Sequence, residues 1–334
     1  PEQVKNVKCI AVDGTTATLS WSDVSDDDIS YFVVECKQSD GVWKSVSRTS
    51  TNLGVNLSGL TPEHDYVYRV IGYDKRSNRG TPSEEITVTT LKDTICPKVT
   101  KITPDPGYFK SEINLRFTAE DDYRVKSIEI QTSTDKESWK TVSEIKATGE
   151  SAKCTFDCKL DLKNYEEGSV FVRAKVYDSY GNVTENKDLT CYEYVVDRTA
   201  PIQPTGVTVS SGETEGGSSF VNISWNAITD DNSFAYYRVY KSNSADGEFT
   251  LLKNNVKTVN TYDENVDFSA TYYYKVEAVD LAGNVGKQSE VVSCKVKDDT
   301  EKPVIYDLSP VDGTRIGNNN NSVTVAASDN AKLS

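Results

Sequence analysis

Residues Ala270–Asn284 read ATYYYKVEAVDLAGN: Tyr272, Tyr274 and Val276 fall on alternate positions before an Asp-Leu-Ala-Gly-Asn turn. Alternation with period two marks a strand that buries one face and exposes the other. The same form stands at His64–Asn78 (HDYVYRVIGYDKRSN) and at Gly168–Asn182 (GSVFVRAKVYDSYGN). Aligned on Asp74, Asp178 and Asp280, the copies lie 104 and then 102 residues apart. A strand and turn recurring at about a hundred residues predicts a tandem array of β-domains, each long enough to bury a core of its own.

The joints keep the same period. Asp93, Asp197 and Asp299 each stand four residues before a proline, namely Pro97, Pro201 and Pro303. Short linkers closed by a φ-fixed proline restrict hinge motion, so the array is expected to be an extended rod. The boundaries expected from these marks are 1–92, 93–198, 199–298 and an incomplete fourth domain, 299–334.

Within the first repeat, Val7, Cys9 and Ala11 alternate along a first strand, and Ala17, Leu19 and Trp21 along a second. Tyr31 and Val33 follow, then Trp43–Ser47, then Val55, Leu57 and Leu60 ahead of Pro62. Tyr66, Tyr68 and Val70 form the late strand, and Glu85–Thr90 the last. About seven short antiparallel strands separated by turn signals predict an all-β sandwich.

These residues resemble the fibronectin type III family. The marks are Leu19-Ser20-Trp21, Tyr31-x-Val33, and Leu60-x-Pro62 followed by Tyr66-x-Tyr68-Arg69-Val70. The resemblance implies that Trp21 lies between the sheets and that the hydroxyl of Tyr66 ties back to nearby backbone as a tyrosine corner. Repeat three keeps the pattern in Ser224-Trp225, Tyr237-x-Val239 and Tyr272-x-Tyr274-Lys275-Val276, with Asp267-Phe268 in place of Leu-x-Pro. The resemblance implies that Trp225 and Tyr272 take the corresponding structural roles. Repeat two lacks the early tryptophan and starts Val99-Thr-Lys-Ile102-Thr-Pro104-Asp-Pro-Gly107. The stretch from Val304 through Pro310 to Gly313 starts in the same way. Both are similar to bacterial immunoglobulin-like modules of large surface proteins. The fold class expected is a tandem array of immunoglobulin-like and fibronectin type III β-sandwiches.

Composition narrows function. A net charge of −14, from 51 acidic and 37 basic residues, gives no basic surface to displace counterions from phosphates, so no nucleic-acid partner is expected. No apolar run approaches the roughly 20 residues of a membrane helix. Starting at Pro1 and holding no methionine, the sequence reads as an internal piece of a longer protein. The seven cysteines do not follow the repeat and read as scattered structural thiols. Cys154 and Cys158, on one strand face, would sit about 13 Å apart, beyond disulfide reach. Cys96 with Cys191 is the pair to test first.

His64 is the only histidine, which leaves a histidine-based triad and a usual zinc site without ligands. The carboxylate pairs Asp121-Asp122, Glu166-Glu167 and Asp230-Asp231 are expected to fall in turns or loops, and no nucleotide-binding fingerprint is present. The chain therefore reads as non-enzymatic, with no cofactor other than calcium to consider. Calcium takes several carboxylate and carbonyl oxygens, and the joint aspartates Asp93, Asp197 and Asp299 recur in register with the turn aspartates. Asp121, Asp122 and Asp329 are expected to end second strands close to those joints. The same residues also suit turns that cap local backbone N–H groups, so both readings stand. Tyr73, Phe171, Tyr177 and Tyr273 are expected to face outward, where aromatic faces stack on sugars or pack on proteins. The Asn-x-Ser/Thr sequons at Asn56, Asn182, Asn222 and Asn320 read as chance occurrences.

The function expected is a spacer or adhesive stalk in a large bacterial cell-surface or secreted protein. The resemblance supplies the extracellular part. Two alternatives are accessory modules of an extracellular polysaccharide-degrading enzyme and a direct adhesin. The partners expected are neighbouring domains of the same chain, and a host or cell-surface protein or glycan.

Overall fold

A computed structural model describes residues 1–215, 217–229, 231, 233–309 and 322–329. Asp230, Pro310, Gly313 and Asn320, singled out above, lie outside the described residues. The chain divides into two compact units. One holds Pro1–Pro106, Glu112–Asn164 and Ser169–Tyr194; the other holds Gly107–Ser111, Tyr165–Gly168 and Val195–Ser334. Among the described residues the one helical turn is Asn186–Asp188, and the rest of the regular structure is strand.

The first sandwich has the seven strands that its alternation predicts: β1 (Lys8–Val12), β2 (Thr16–Ser20), β3 (Ile29–Lys37), β4 (Trp43–Thr49), β5 (Gly54–Ser58), β6 (Asp65–Asp74) and β7 (Ile86–Thr89). One sheet runs β1-β2-β5 and the other β4-β3-β6-β7, antiparallel throughout. Ala17, Leu19 and Leu57 from the first sheet meet Phe32, Val34, Tyr68 and Val70 from the second, with Trp21 among them. Fully burying a large apolar side chain is worth about 1.5–3 kcal/mol, so this inner layer carries most of the stability.

Two expected registers are off by one residue. Phe32 and Val34 are buried in β3, whereas Tyr31 and Val33 lie on the outer face, where Tyr31 stacks on Tyr73 at 4.8 Å. The inward pair that matches Tyr237-x-Val239 of repeat three is therefore Phe32-x-Val34. In β1 a bulge between Cys9 and Ala11 shifts the alternation, so Val12 packs on the core while Ala11 is exposed. A bulge inserts one residue and turns every later side chain over.

The strands that follow are β8 (Lys98–Thr103), β9 (Tyr108–Phe109), β10 (Glu112–Ser133), β11 (Lys140–Asp161), β12 (Gly168–Asp178) and β13 (Tyr192–Val196). In the first compact unit, β10 pairs with β11 along most of its length, with β8 over its first half and with β12 over its second half. Asp121 does not end its strand, as the sequence suggested. β10 carries on through an irregular step between Glu120 and Val125 because β11 stays paired on both sides of it, at Glu120↔Lys153 and Val125↔Ser151. That step occupies the place of the acidic Ser25–Asp28 loop of the first sandwich. In the second compact unit, Val195 and Val196 of β13 pair in parallel with Tyr108 and Phe109 of β9.

Repeat three supplies β14 (Thr208–Glu213), β15 (Ser219–Ser224), β16 (Phe234–Ser242), β17 (Thr250–Val256), β18 (Asn260–Asp263), β19 (Thr271–Asp280) and β20 (Val292–Lys295). Its sheets run β14-β15-β18 and β17-β16-β19-β20, the same order as in the first sandwich. The opening stretch is β19 with its turn, and Tyr272, Tyr274, Val276 and Ala278 all join the core. Beyond it, β21 (Val304–Ser309) and β22 (Thr324–Ser328) pair antiparallel, with Val304, Ile305, Tyr306 and Leu308 exposed.

All seven cysteines are free thiols, Cys96 and Cys191 included. Cys96 lies near Glu185 and Lys187, past the C-terminal end of β12, whereas Cys191 lies near Lys136 and Arg173, alongside the strand's earlier residues.

Candidate functional site

The turn that closes each late strand is built from one aspartate and one asparagine. Asp178 Oδ1 accepts from the backbone N–H groups of Tyr180 and Asn182, both at 2.8 Å, and Oδ2 accepts from Asn182 Nδ2 at 2.6 Å. Asp74 with Asn78 and Asp280 with Asn284 repeat the bond between side chains at 2.7 and 2.9 Å. Carboxylates suit this place because the turn leaves several N–H groups pointing inward. Two of the turns also hold a joint: Asn182 Nδ2 donates to the carbonyl of Asp93 at 3.2 Å, and Asn284 Nδ2 to that of Asp197 at 3.0 Å.

In the first compact unit this brings three carboxylates together. Asp93 comes from the segment after β7, Asp121 from the irregular step of β10 and Asp178 from the end of β12. One oxygen of each lies within 4.8 Å of the others. Asp93 is 1 % exposed; its Oδ1 accepts from Ile95 N at 2.9 Å, while its buried Oδ2 meets no donor. Asp121 Oδ2 accepts from Tyr123 N at 3.3 Å, and its Oδ1 is likewise buried without a donor. Asp122 turns toward the β1–β2 turn, where Thr15 Oγ1 donates to its Oδ2 at 2.9 Å. The approach there is close: a Cβ on Gly14 would stand 3.1 Å from Asp93 Cα. Tyr180 adds a bond from its hydroxyl to the carbonyl of Pro62 at 3.1 Å.

Burial pushes the carboxyl of Asp93 up from the ordinary value, with Asp122 and Asp178 adding to it. Burial pushes Asp121 up to about 6, with Asp93, Asp122 and Asp178 adding and the Tyr123 N–H opposing. A carboxyl that binds its proton more tightly folded than unfolded gives stability present below its unfolded value of 3.8 and lost as pH rises through its folded value. We therefore expect the metal-free chain to melt at a higher temperature at pH 5 than at pH 7. Carboxyls held below their ordinary value, such as Asp74, Asp157 and Glu120, lose their contribution only at lower pH. Thermal melts in Asp121→Asn should show a smaller rise. A melting temperature that is flat or falls from pH 7 to pH 5 would count against this account.

The other aspartates chosen from sequence are not drawn into such a group among the described residues. Asp197 Oδ1 accepts from Thr199 N at 3.1 Å, and Asp197 lines a cleft with Pro201, Asp231 and Ser233. Asp299 Oδ1 accepts from Glu301 N at 3.0 Å, and Asp329 follows the end of β22. Asp178 was absent from the candidate ligands, although its register with Asp93 pointed to it. Glu167 is bound on both oxygens, by Arg198 N at 2.8 Å and Thr199 Oγ1 at 2.9 Å. His64 packs edge-on against Tyr66 at 4.7 Å.

The structural aromatics lie as follows. Trp21 and Trp225 are each 5 % exposed, and meet Phe32 at 5.6 Å and Tyr237 at 5.1 Å edge-to-face. Tyr66 OH accepts from Thr61 N at 2.8 Å, and Tyr272 OH accepts from Asp267 N at 3.1 Å, so the corner bond forms in repeat three without Leu-x-Pro. Phe171, expected to face out, is buried beneath Lys136, whose Nζ sits 4.3 Å from the ring centre. Arg48 covers Tyr31, Arg69 covers Trp43 and Arg173 covers Trp139 at 3.6, 4.0 and 3.9 Å. Such cation–π contacts occupy the faces on which a sugar would stack.

Residues 2–89 match the family model of the fibronectin type III domain. The first sandwich is a fibronectin type III domain. Exoglucanase B of Cellulomonas fimi is 27 % identical over 297 residues, which is 86 % of this chain and 25 % of that protein. An amylopullulanase of Thermoanaerobacter thermohydrosulfuricus is 34 % identical over 109 residues, 30 % of this chain and 7 % of that protein. Chitinase Chi52 of Paenibacillus xylanexedens is 31 % identical over 107 residues, 32 % of this chain and 18 % of that protein. The chain spans a quarter or less of the length of these relatives. Among the described residues no helix is long and apolar enough to cross a membrane.

Proposed function

We propose that this chain is a non-catalytic run of accessory modules in an extracellular enzyme that degrades polysaccharide. The observation that carries this reading is the alignment of 86 % of the chain with a quarter of an exoglucanase. Such an alignment is expected where modules flank or separate a catalytic domain. The arrangement within the chain is taken as fibronectin type III over 1–92, immunoglobulin-like over 93–198, fibronectin type III over 199–298 and the opening of a second immunoglobulin-like domain over 299–334. The modules space the catalytic domain and pack on their neighbours in the same chain. A stalk on a bacterial surface shares this non-catalytic role, and the named relatives favour the enzyme setting. A host protein or glycan as direct partner has less support, because several outer-face aromatics are covered by cations.

Incubating the purified chain with insoluble cellulose, starch and chitin tests the reading. No new reducing ends should appear, and the protein should stay in the supernatant. Hydrolysis would overturn the non-catalytic role, and depletion onto one polymer would replace the spacer with a binding module.

A further inference from the structure

We propose that Asp93, Asp121 and Asp178 bind one calcium ion in the first compact unit, with Asp122 beside it. Calcium sits about 2.3–2.6 Å from its oxygen ligands, so oxygens around one ion stand at most about 5 Å apart. The three carboxylate oxygens, mutually within 4.8 Å, meet that condition without rearrangement.

The cluster also lacks what would let it stand alone. Asp93 is 1 % exposed and its Oδ2 has no hydrogen-bond donor, and Asp121 Oδ1 is in the same state. Among the described residues no Lys or Arg forms an ion pair with Asp93, Asp121, Asp122 or Asp178. Buried charges are normally paired or ligated to metal, and a carboxylate oxygen hidden from water without a partner is costly. A cation among the three oxygens supplies the missing partner.

The donor set selects the ion. All three ligands are hard carboxylate oxygens, and the one histidine of the chain is engaged with Tyr66 elsewhere. Magnesium requires a near-ideal octahedron and keeps several waters, whereas calcium tolerates ligands drawn from separate, irregular segments. Here they come from the joint after β7, the step in β10 and the turn after β12. The ion would fasten the joint to β10 and β12, adding charge to the grip that Asn182 already has on the carbonyl of Asp93. This assignment does not depend on the setting proposed above.

The test uses the whole chain, stripped with chelator and titrated with calcium chloride by calorimetry and thermal melting. One saturable site is expected, half-filled at about 0.1–1 mM as in extracellular calcium modules, with a rise in melting temperature. Asp93→Asn and Asp121→Asn should each weaken binding by about tenfold or more. Both should nonetheless raise the melting temperature of the metal-free chain, because each removes one of several crowded like charges. Asp74→Asn, in the equivalent turn with no joint before it, should leave calcium binding unchanged. A melting temperature indifferent to millimolar calcium would overturn the proposal. So would a metal-free Asp93→Asn chain less stable than the parent, which would mark a purely structural carboxylate. An equal response to magnesium would overturn the choice of calcium.

Discussion

Asp263→Ala is expected to destabilise the third sandwich by about 3–5 kcal/mol, the cost of removing one partner from a buried ion pair. Asp263 is fully buried at the end of β18. Its Oδ2 accepts from the hydroxyl of Tyr274 at 2.8 Å and pairs with Lys241 Nζ at 2.7 Å, and its Oδ1 accepts from Asn265 N at 3.1 Å. Lys241 Nζ also donates to the carbonyl of Asn265 and lies 4.0 Å from the centre of the Tyr272 ring. Alanine would leave an ammonium and a buried phenol facing a cavity. Calorimetry should show the transition of this sandwich about 15–30 °C lower. Asp263→Leu combined with Lys241→Met should recover much of the loss, because replacing both charges with apolar groups removes the desolvation cost together with the attraction. A loss under about 1 kcal/mol for Asp263→Ala would show that Lys241 finds solvent without it.

Trp21→Ala should cost the fibronectin type III domain about 3–5 kcal/mol, the usual penalty for emptying a large aromatic site in a packed core. The ring is 5 % exposed and lies between the sheets against Phe32. Its buried Nε1 meets no acceptor, so Trp21→Phe loses volume but no hydrogen bond and should cost about 1–2 kcal/mol. Urea unfolding of the two variants separates packing from polarity. Similar losses for phenylalanine and alanine would mean that the indole N–H carries energy through a bond this structure does not contain. Trp225, with the same exposure and the same edge-to-face neighbour geometry, should behave alike in the third sandwich.

Much of this was legible in the chain because it is local. The alternation of Tyr272, Tyr274 and Val276 names a strand, and the recurring Asp-to-Asn turn names its end. The spacing of Asp74, Asp178 and Asp280 names the repeat. These depend on the two-residue period of a strand and on the few residues that tolerate a tight turn. The misplaced registers share one cause. Tyr31-x-Val33 and Phe32-x-Val34 are equally good alternating pairs, and only the partner strands decide which faces inward. Cys9–Ala11 looked regular because a bulge leaves no mark in composition. Phe171 was expected in solvent because strand parity says nothing about a lysine from a neighbouring hairpin lying across the ring.

Asp263 and Asp178 show the same division at the sites. Asp263 is an unremarkable strand-end aspartate in sequence, and its burial follows from Tyr274 and Lys241 on other strands closing over it. Asp178 reads as a turn residue and is one, through Asn182. The sequence established three joints with an aspartate four residues before each proline, in register with the turns, and so where a cation could be sought. Tertiary structure alone decided that Asp93, Asp121 and Asp178, up to 85 residues apart, meet within 4.8 Å at the first joint. The period of a chain sets which residues recur, whereas the gathering of charge depends on how β10 steps and how the joint is held against β12.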